Sequence, residues 1–201
     1  MKKYLALLLV SAVFGASAYA APAPYGEPGT QNSTTYSYVA ASSGDVSVYF
    51  AGGTGGYSLE LGLLINGVNT GLYGLNNYTS SYGQTFNFGP ANAGDALVFM
   101  IRNINPGNVA PWYSDVSLNS DGVNHVYSSQ YSGDNLIPEG TFIAFEDLEG
   151  GGDFNYDDIK FVLTNVIDRN NSVPEPASLV LAGLGAAGLG FIRRRKAPQA
   201  S

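Results

Sequence analysis

"YSLELGLLI", residues 57–65, places Tyr57, Leu59, Leu61, Leu63 and Ile65 on one side of an extended chain, with Ser58, Glu60 and Gly62 on the other. An apolar period of two is the signature of a half-buried β-strand, since successive side chains of a strand point to opposite faces. "DVSVYF" repeats the pattern with Val46, Val48 and Phe50. "QTFNF", "ALVFMIR", "WYSDVSL", "VNHVY", "TFIAFED" and "DIKFVLTNV" supply further short runs. Between them stand Asn66-Gly67, Ala93-Gly94-Asp95, Pro106-Gly107 and Asp121-Gly122, residues that turn the chain cheaply. Eight or nine short strands from residue 36 to 167, with no helical period among them, predict an all-β antiparallel sandwich or jelly roll.

On either side of this domain, residues 21–35 read as a flexible lead and 168–172 as a polar linker. The first 20 residues, "MKKYLALLLVSAVFGASAYA", carry Lys2 and Lys3, an apolar run from Leu5 to Phe14, then small residues up to Ala18-Tyr19-Ala20. That order is a secretory signal peptide with an Ala-x-Ala cleavage site at Ala18 and Ala20, and it directs the chain to the Sec export machinery. At the other end Ala177 to Ile192 is apolar and Gly-rich, and Arg193, Arg194, Arg195 and Lys196 follow at once. Sixteen helical residues rise about 24 Å, a marginal span of a ~30 Å hydrocarbon core. The basic cluster stays cytoplasmic by the positive-inside rule, so the preceding domain lies outside the cytoplasm, held for a time at the inner membrane.

Val173-Pro174-Glu175-Pro176-Ala177-Ser178, the apolar helix and the Arg run together resemble the PEP-CTERM sorting signal of exopolysaccharide-producing Gram-negative bacteria. That resemblance implies processing by an exosortase, a membrane-embedded cysteine-type enzyme. Pro174, Glu175, Pro176, Arg193, Arg194 and Arg195 then act as recognition elements in residues 173–201, and the mature protein ends at the cell surface or in the extracellular matrix.

The composition narrows the chemistry. Between residues 21 and 173 stand 15 acidic and 3 basic residues, a net charge of −12. Nucleic acid is repelled by such a surface and cations are attracted. With no cysteine and one histidine, His125, thiolate sites are excluded and zinc or copper is poorly served. His125 has no identifiable catalytic partner. Nucleophile-elbow, Walker and zinc-protease patterns are absent, so no enzyme activity is expected. Trp112 reads as a core residue, with stacking on a sugar as the alternative.

The strongest candidate site is "FEDLEGGGDFNYDDIKF", residues 145–161. Strands read on both sides make it a strand-to-strand loop, turned by Gly150, Gly151 and Gly152. Asp153, Asn155 and Asp157 recur at every second position, the first half of an EF-hand calcium loop. Glu146, Asp147, Glu149 and Asp158 add carboxylates. The sixth and twelfth positions hold Asp158 and Thr164 rather than Gly and Glu, so an EF-hand is excluded. Three readings stay open: a solvated turn, a calcium-stabilised loop, and a catalytic acid pair. Calcium is favoured, because so many carboxylates in one short loop repel one another unless cations screen them.

Glu146-Asp147, the Gly-rich spacer and "GGDFNYDDIKF" also resemble the ending of a bacterial domain-of-unknown-function family of secreted and surface proteins. Asp157 stands where that signature usually has Asn. The resemblance implies a calcium-associated surface module. The expected function is therefore a non-enzymatic, exosortase-sorted surface or matrix protein, stabilised by Ca²⁺ and associated with exopolysaccharide. Alternatives are a carbohydrate-binding module for matrix polysaccharide and, further off, a polysaccharide hydrolase or lyase.

Overall fold

A computed structural model describes residues 24–105 and 111–170. The signal peptide with Ala18 and Ala20, the Pro106-Gly107 turn, the 177–192 span and the sorting elements at 174–176 and 193–195 lie outside the described residues. Among the described residues no helix is long and apolar enough to cross a membrane.

Among the described residues eleven strands form two antiparallel sheets. The first has the order β11 (Val166–Asp168), β1 (Tyr38–Ala40), β6 (Ala96–Asn103), β3 (Leu59–Ile65), β4 (Val68–Asn76), with the two-residue β7 (Trp112–Tyr113) also paired to β6. The second runs β5 (Thr85–Ala91), β2 (Gly44–Gly52), β10 (Ile159–Thr164), β9 (Gly140–Phe145), β8 (Val126–Tyr131). The expected β-sandwich is the observed architecture, and its core is the pair of inner faces. Leu59, Leu61, Leu63, Leu97, Phe99 and Ile101 meet Val46, Val48, Phe50, Ile143, Phe145, Phe161 and Leu163 in one buried cluster. The alternation read in "YSLELGLLI" is thus real: its three central leucines are buried, and Tyr57 and Ile65 pack on the rim.

The second sheet is apolar on its outer side as well. Phe142, Ala144 and Val162 point away from the core, yet are buried beside Tyr131, Ile137 and Tyr156. Burial on both faces is why "TFIAF" and "IKFVLT" are nearly continuous apolar runs.

Several local features differ from the expectation. Residues 166–168 are a separate strand: the chain leaves the second sheet at Asn165, whose φ of +60° breaks the run, and enters the first sheet against β1. Asn165 holds the corner by accepting from the Ser42 N–H at 2.8 Å and donating to Ser42 O at 3.0 Å. Asp168 is therefore no linker residue; it is buried in β11, paired with Tyr38. "WYSDVSL" splits into β7 and a 3-10 turn at Val116–Leu118, because Asp115 caps the turn by accepting from the Ser117 N–H at 2.9 Å. The lead is also anchored: Asn32 is buried and donates to Val126 O at 3.0 Å, on the last strand of the second sheet. At Asn66-Gly67, both residues have positive φ, 50° and 78°, as a two-residue hairpin between Ile65 and Val68 requires.

Candidate metal centre

β9 and β10 pair through Phe145↔Ile159, the last rung of their ladder. Glu146 and Asp147 follow that rung directly, and Asp158 precedes it. Residues eleven and twelve apart in sequence are thereby set side by side, with one carboxylate oxygen from each of Glu146, Asp147 and Asp158 within 4.8 Å of one another. The Asp147 N–H donates to Asp158 Oδ2 at 2.8 Å, and the Asp158 N–H to Phe145 O at 3.2 Å. These two bonds close the base of the loop.

Side chains from β7 and from the segment just before β8 hold the hairpin's main chain. The Trp112 indole N–H donates to Asp147 O at 2.7 Å. His125 Nδ1 lies 2.9 Å from Glu146 O, and its Nε2 lies 3.0 Å from Asp121 Oδ2. The two rings stack with centroids 4.0 Å apart and planes 5° from parallel. Both are buried, so Trp112 has no free face for a sugar. From above, the β2–β3 loop crosses the triad through Gly53 and Gly55. A Cβ on Gly55 would sit 2.9 Å from Asp158 Cβ and 3.0 Å from Asp147 Oδ2, and one on Gly53 would overlap Asp158 O. Thr54 between them ties the loops together: its hydroxyl donates to Asp157 Oδ1 at 2.7 Å and its N–H to Asp157 O at 3.0 Å. Gly152 closes the third side, where a Cβ would sit 2.6 Å from Glu146 Oε1.

Enclosure has an electrostatic consequence. Glu146 is 2% exposed and Asp147 4%, and Glu146 Oε2 and Asp147 Oδ2 are buried with no hydrogen-bond partner. An unpaired buried carboxylate oxygen is expensive, because water no longer solvates its charge. Burial first, and the Asp158 charge second, push the Glu146 carboxyl up to about 9 and Asp147 up to about 7. Burial also raises Asp158, against the bond from the Asp147 N–H, which lowers it. The exposed Asp153 adds a further negative field on Glu146 and Asp147.

Of the seven residues expected to hold a metal, the structure brings three together. Glu149 is exposed in a 3-10 turn at Glu149–Gly151. The Asp153-x-Asn155-x-Asp157 pattern does a different job. Asp153 Oδ1 accepts from the Asn155 N–H at 3.2 Å, and Asn155 Oδ1 from the Asp157 N–H at 2.9 Å, while Asp157 Oδ1 takes the Thr54 hydroxyl. The side chains at alternate positions bridge successive backbone amides. The residues between them, Phe154 and Tyr156, take positive φ of 51° and 53° and turn their rings to the second apolar cluster. Trp112, His125, Gly53 and Gly55 were not legible as parts of this site. The glycine-dense "GGTGG" at 52–56 is the sequence trace of the two glycines.

Three clustered carboxylates, two of them with an orphaned oxygen, fit a hard, oxygen-seeking cation, and the absence of nitrogen or sulfur donors in the triad suits Ca²⁺. They fit an acid–base pair poorly. A glycosidase pair sits across an open cleft at about 5 Å or more, whereas this triad is covered by the 53–55 loop.

Residues 54–165 match the family described as a domain of unknown function (DUF4114), and residues 172–196 match the PEP-CTERM protein-sorting motif. No curated protein and no solved structure matches the chain.

Proposed function

The chain belongs to the DUF4114 family and carries a PEP-CTERM sorting motif, and from that premise we propose that it is a non-enzymatic surface module whose β9–β10 hairpin is locked by Ca²⁺. The sorting motif marks an exported protein that an exosortase processes for the cell envelope or surface. The finer reading is that the module is led out by residues 1–20, passes through the inner membrane, and comes to rest at the surface or in exopolysaccharide.

The observation that carries the cation reading is the pair of buried, partnerless oxygens, Glu146 Oε2 and Asp147 Oδ2, in a cluster with Asp158. A fold that gathers three carboxylates and leaves a buried oxygen on two of them without a donor is destabilised unless positive charge joins them. Glu146, Asp147 and Asp158 would hold the ion; bound there, it neutralises their repulsion and pins the two ends of the 146–158 loop. Because the outside of a cell is rich in calcium and the cytoplasm poor, such a site suits a domain that works after export.

Titration calorimetry with calcium on the wild-type chain and on Asp158→Asn tests the reading. One calcium bound by wild type and none by the variant is expected. Equal binding by both proteins, or none by either at millimolar calcium, refutes it. Release of sugars from purified matrix polysaccharide would refute the non-enzymatic assignment.

A further inference from the structure

Residues 24–35 form no strand, yet their contacts converge on the loop that the triad closes. The Gly29 N–H donates to Asp153 O at 3.0 Å, and the Asn32 N–H to the Tyr156 hydroxyl at 3.0 Å. The same hydroxyl donates to Asn124 O at 3.0 Å, and the Asn124 amide returns bonds to Asn32 O at 3.0 Å and Thr34 O at 2.8 Å. The Tyr25 ring packs on Tyr156 at 4.9 Å and on Tyr127 at 5.4 Å. This strap thus holds two points of the 153–156 segment. At its far end it holds the C-terminal exit: Asn170 Nδ2 donates to Thr35 O at 2.6 Å and the Arg169 N–H to Ser37 O at 2.9 Å. The sorting motif begins at residue 172.

We propose that the strap is a cation-dependent latch: ion binding at Glu146, Asp147 and Asp158 fixes the 153–156 segment, and the strap closes on that segment and on Asn170. This rests on the cation reading of the triad. The physical reason is loop closure. The segment between Asp147 and Asp158 is tied at its base by two hydrogen bonds, and an ion shared by the three carboxylates holds that base more firmly than those bonds alone. Two non-glycine residues of the loop, Phe154 and Tyr156, have positive φ, a course that such residues keep where their surroundings hold them. Tyr156 belongs to the loop and is also the acceptor for Asn32, so loosening the loop removes the strap's main partner. Asn32 also lies in an Asn-Ser-Thr tripeptide, but its burial commits it to this junction rather than to modification.

Amide hydrogen exchange on the full chain, read beside a thermal melt in calcium and in chelator, tests the latch. For wild type the expected result is a rise in Tm with calcium and at least about tenfold slower exchange at Gly29 and Asn32. In Tyr156→Phe the Tm still rises with calcium, but the calcium-dependent protection of the strap is lost. Tyr25→Ala removes only a half-exposed clamp and is expected to give the same loss in a protein that folds normally. Strap exchange that is equal with and without calcium, while Tm rises, overturns the latch and leaves the cation site standing. Protection that survives both substitutions also overturns it. A Tm indifferent to calcium removes the site and the latch together.

Discussion

Replacing Glu146 and Asp147 by Gln and Asn keeps the shape of the triad and removes two of its charges, so it isolates the electrostatic cost of the site. In the ion-free protein both carboxyls have folded pKa values raised above their ordinary ones, to about 9 for Glu146 and about 7 for Asp147. A carboxyl whose folded pKa is raised favours folding in its protonated form. Its contribution is full below the unfolded value, near 4, and is lost as pH rises toward the folded value. Each group that titrates this way costs up to about 1.4 kcal/mol per pH unit. From pH 5 to pH 7 both do so, a ceiling of about 5 kcal/mol; above pH 7 only Glu146 continues. Asp134, held low by the Tyr82 hydroxyl, and Asp95, held low by the Asn66 amide, act in the opposite sense, but below the ordinary carboxylate pKa and so outside this window. In chelator, wild type should therefore melt progressively lower from pH 5 to pH 8, and the double variant should show little slope. Calcium must displace the protons, so its effect grows with pH. At a hundredfold excess over Kd it contributes about 2.7 kcal/mol, or roughly 10 °C in Tm for a domain of this size. The double variant should gain nothing from calcium. A wild-type Tm in chelator that is flat or rising from pH 5 to pH 8 rules out this electrostatic cost, and a calcium response retained by the variant rules out the triad as the ion's site.

Gly53→Ala drives a Cβ into Asp158 O, a backbone atom that cannot rotate away, and should cost about 1–3 kcal/mol in urea denaturation while weakening the calcium response. Trp112→Phe leaves Asp147 O without its indole donor in a buried site, with an expected loss of about 1–3 kcal/mol by the same assay; tryptophan fluorescence of the parent should also be insensitive to soluble polysaccharide. Mass spectrometry of the exported protein should find the chain shortened within or before residues 172–196, and an intact C-terminus through Ser201 would contradict processing.

The sandwich was legible where burial is one-sided. Leu59, Leu61 and Leu63 advertise β3 because every second residue enters the core. The same rule hides β4: as an edge strand it exposes Val68 and Leu72 and carries Gly71 and Gly74, so no alternation survives. It also merges β10 with β11, since both read as apolar and only Asn165, a residue that tolerates positive φ, marks the change of sheet. Asp168 looked like linker because charge in a C-terminal polar run is ordinarily solvated, and its burial depends on β1, more than a hundred residues away in sequence.

The acidic loop was found, but its ligands were drawn from the wrong regularity. Spacing by two suggested Asp153, Asn155 and Asp157, because a metal loop gathers oxygens from alternate positions. In a hairpin, alternate positions on a turning loop have a nearer use, which is to bond the amides that the turn leaves without strand partners; Asp153 and Asn155 do this for residues 155 and 157. What gathers carboxylates here is the ladder. Any residues flanking its final rung are brought face to face, so an Glu-Asp pair just after one strand and an Asp just before the next must meet, whatever the loop between them contains. Phe145↔Ile159 is that rung, and its position follows from the pairing of Phe161 with Ile143 and Leu163 with Thr141 along the same strands. The cation site is thus specified by strand register, and a one-residue slip of β10 against β9 would separate Asp158 from Glu146 and Asp147 while turning Phe161 out of the core. Ion binding and correct pairing of the two central strands are in that sense a single requirement.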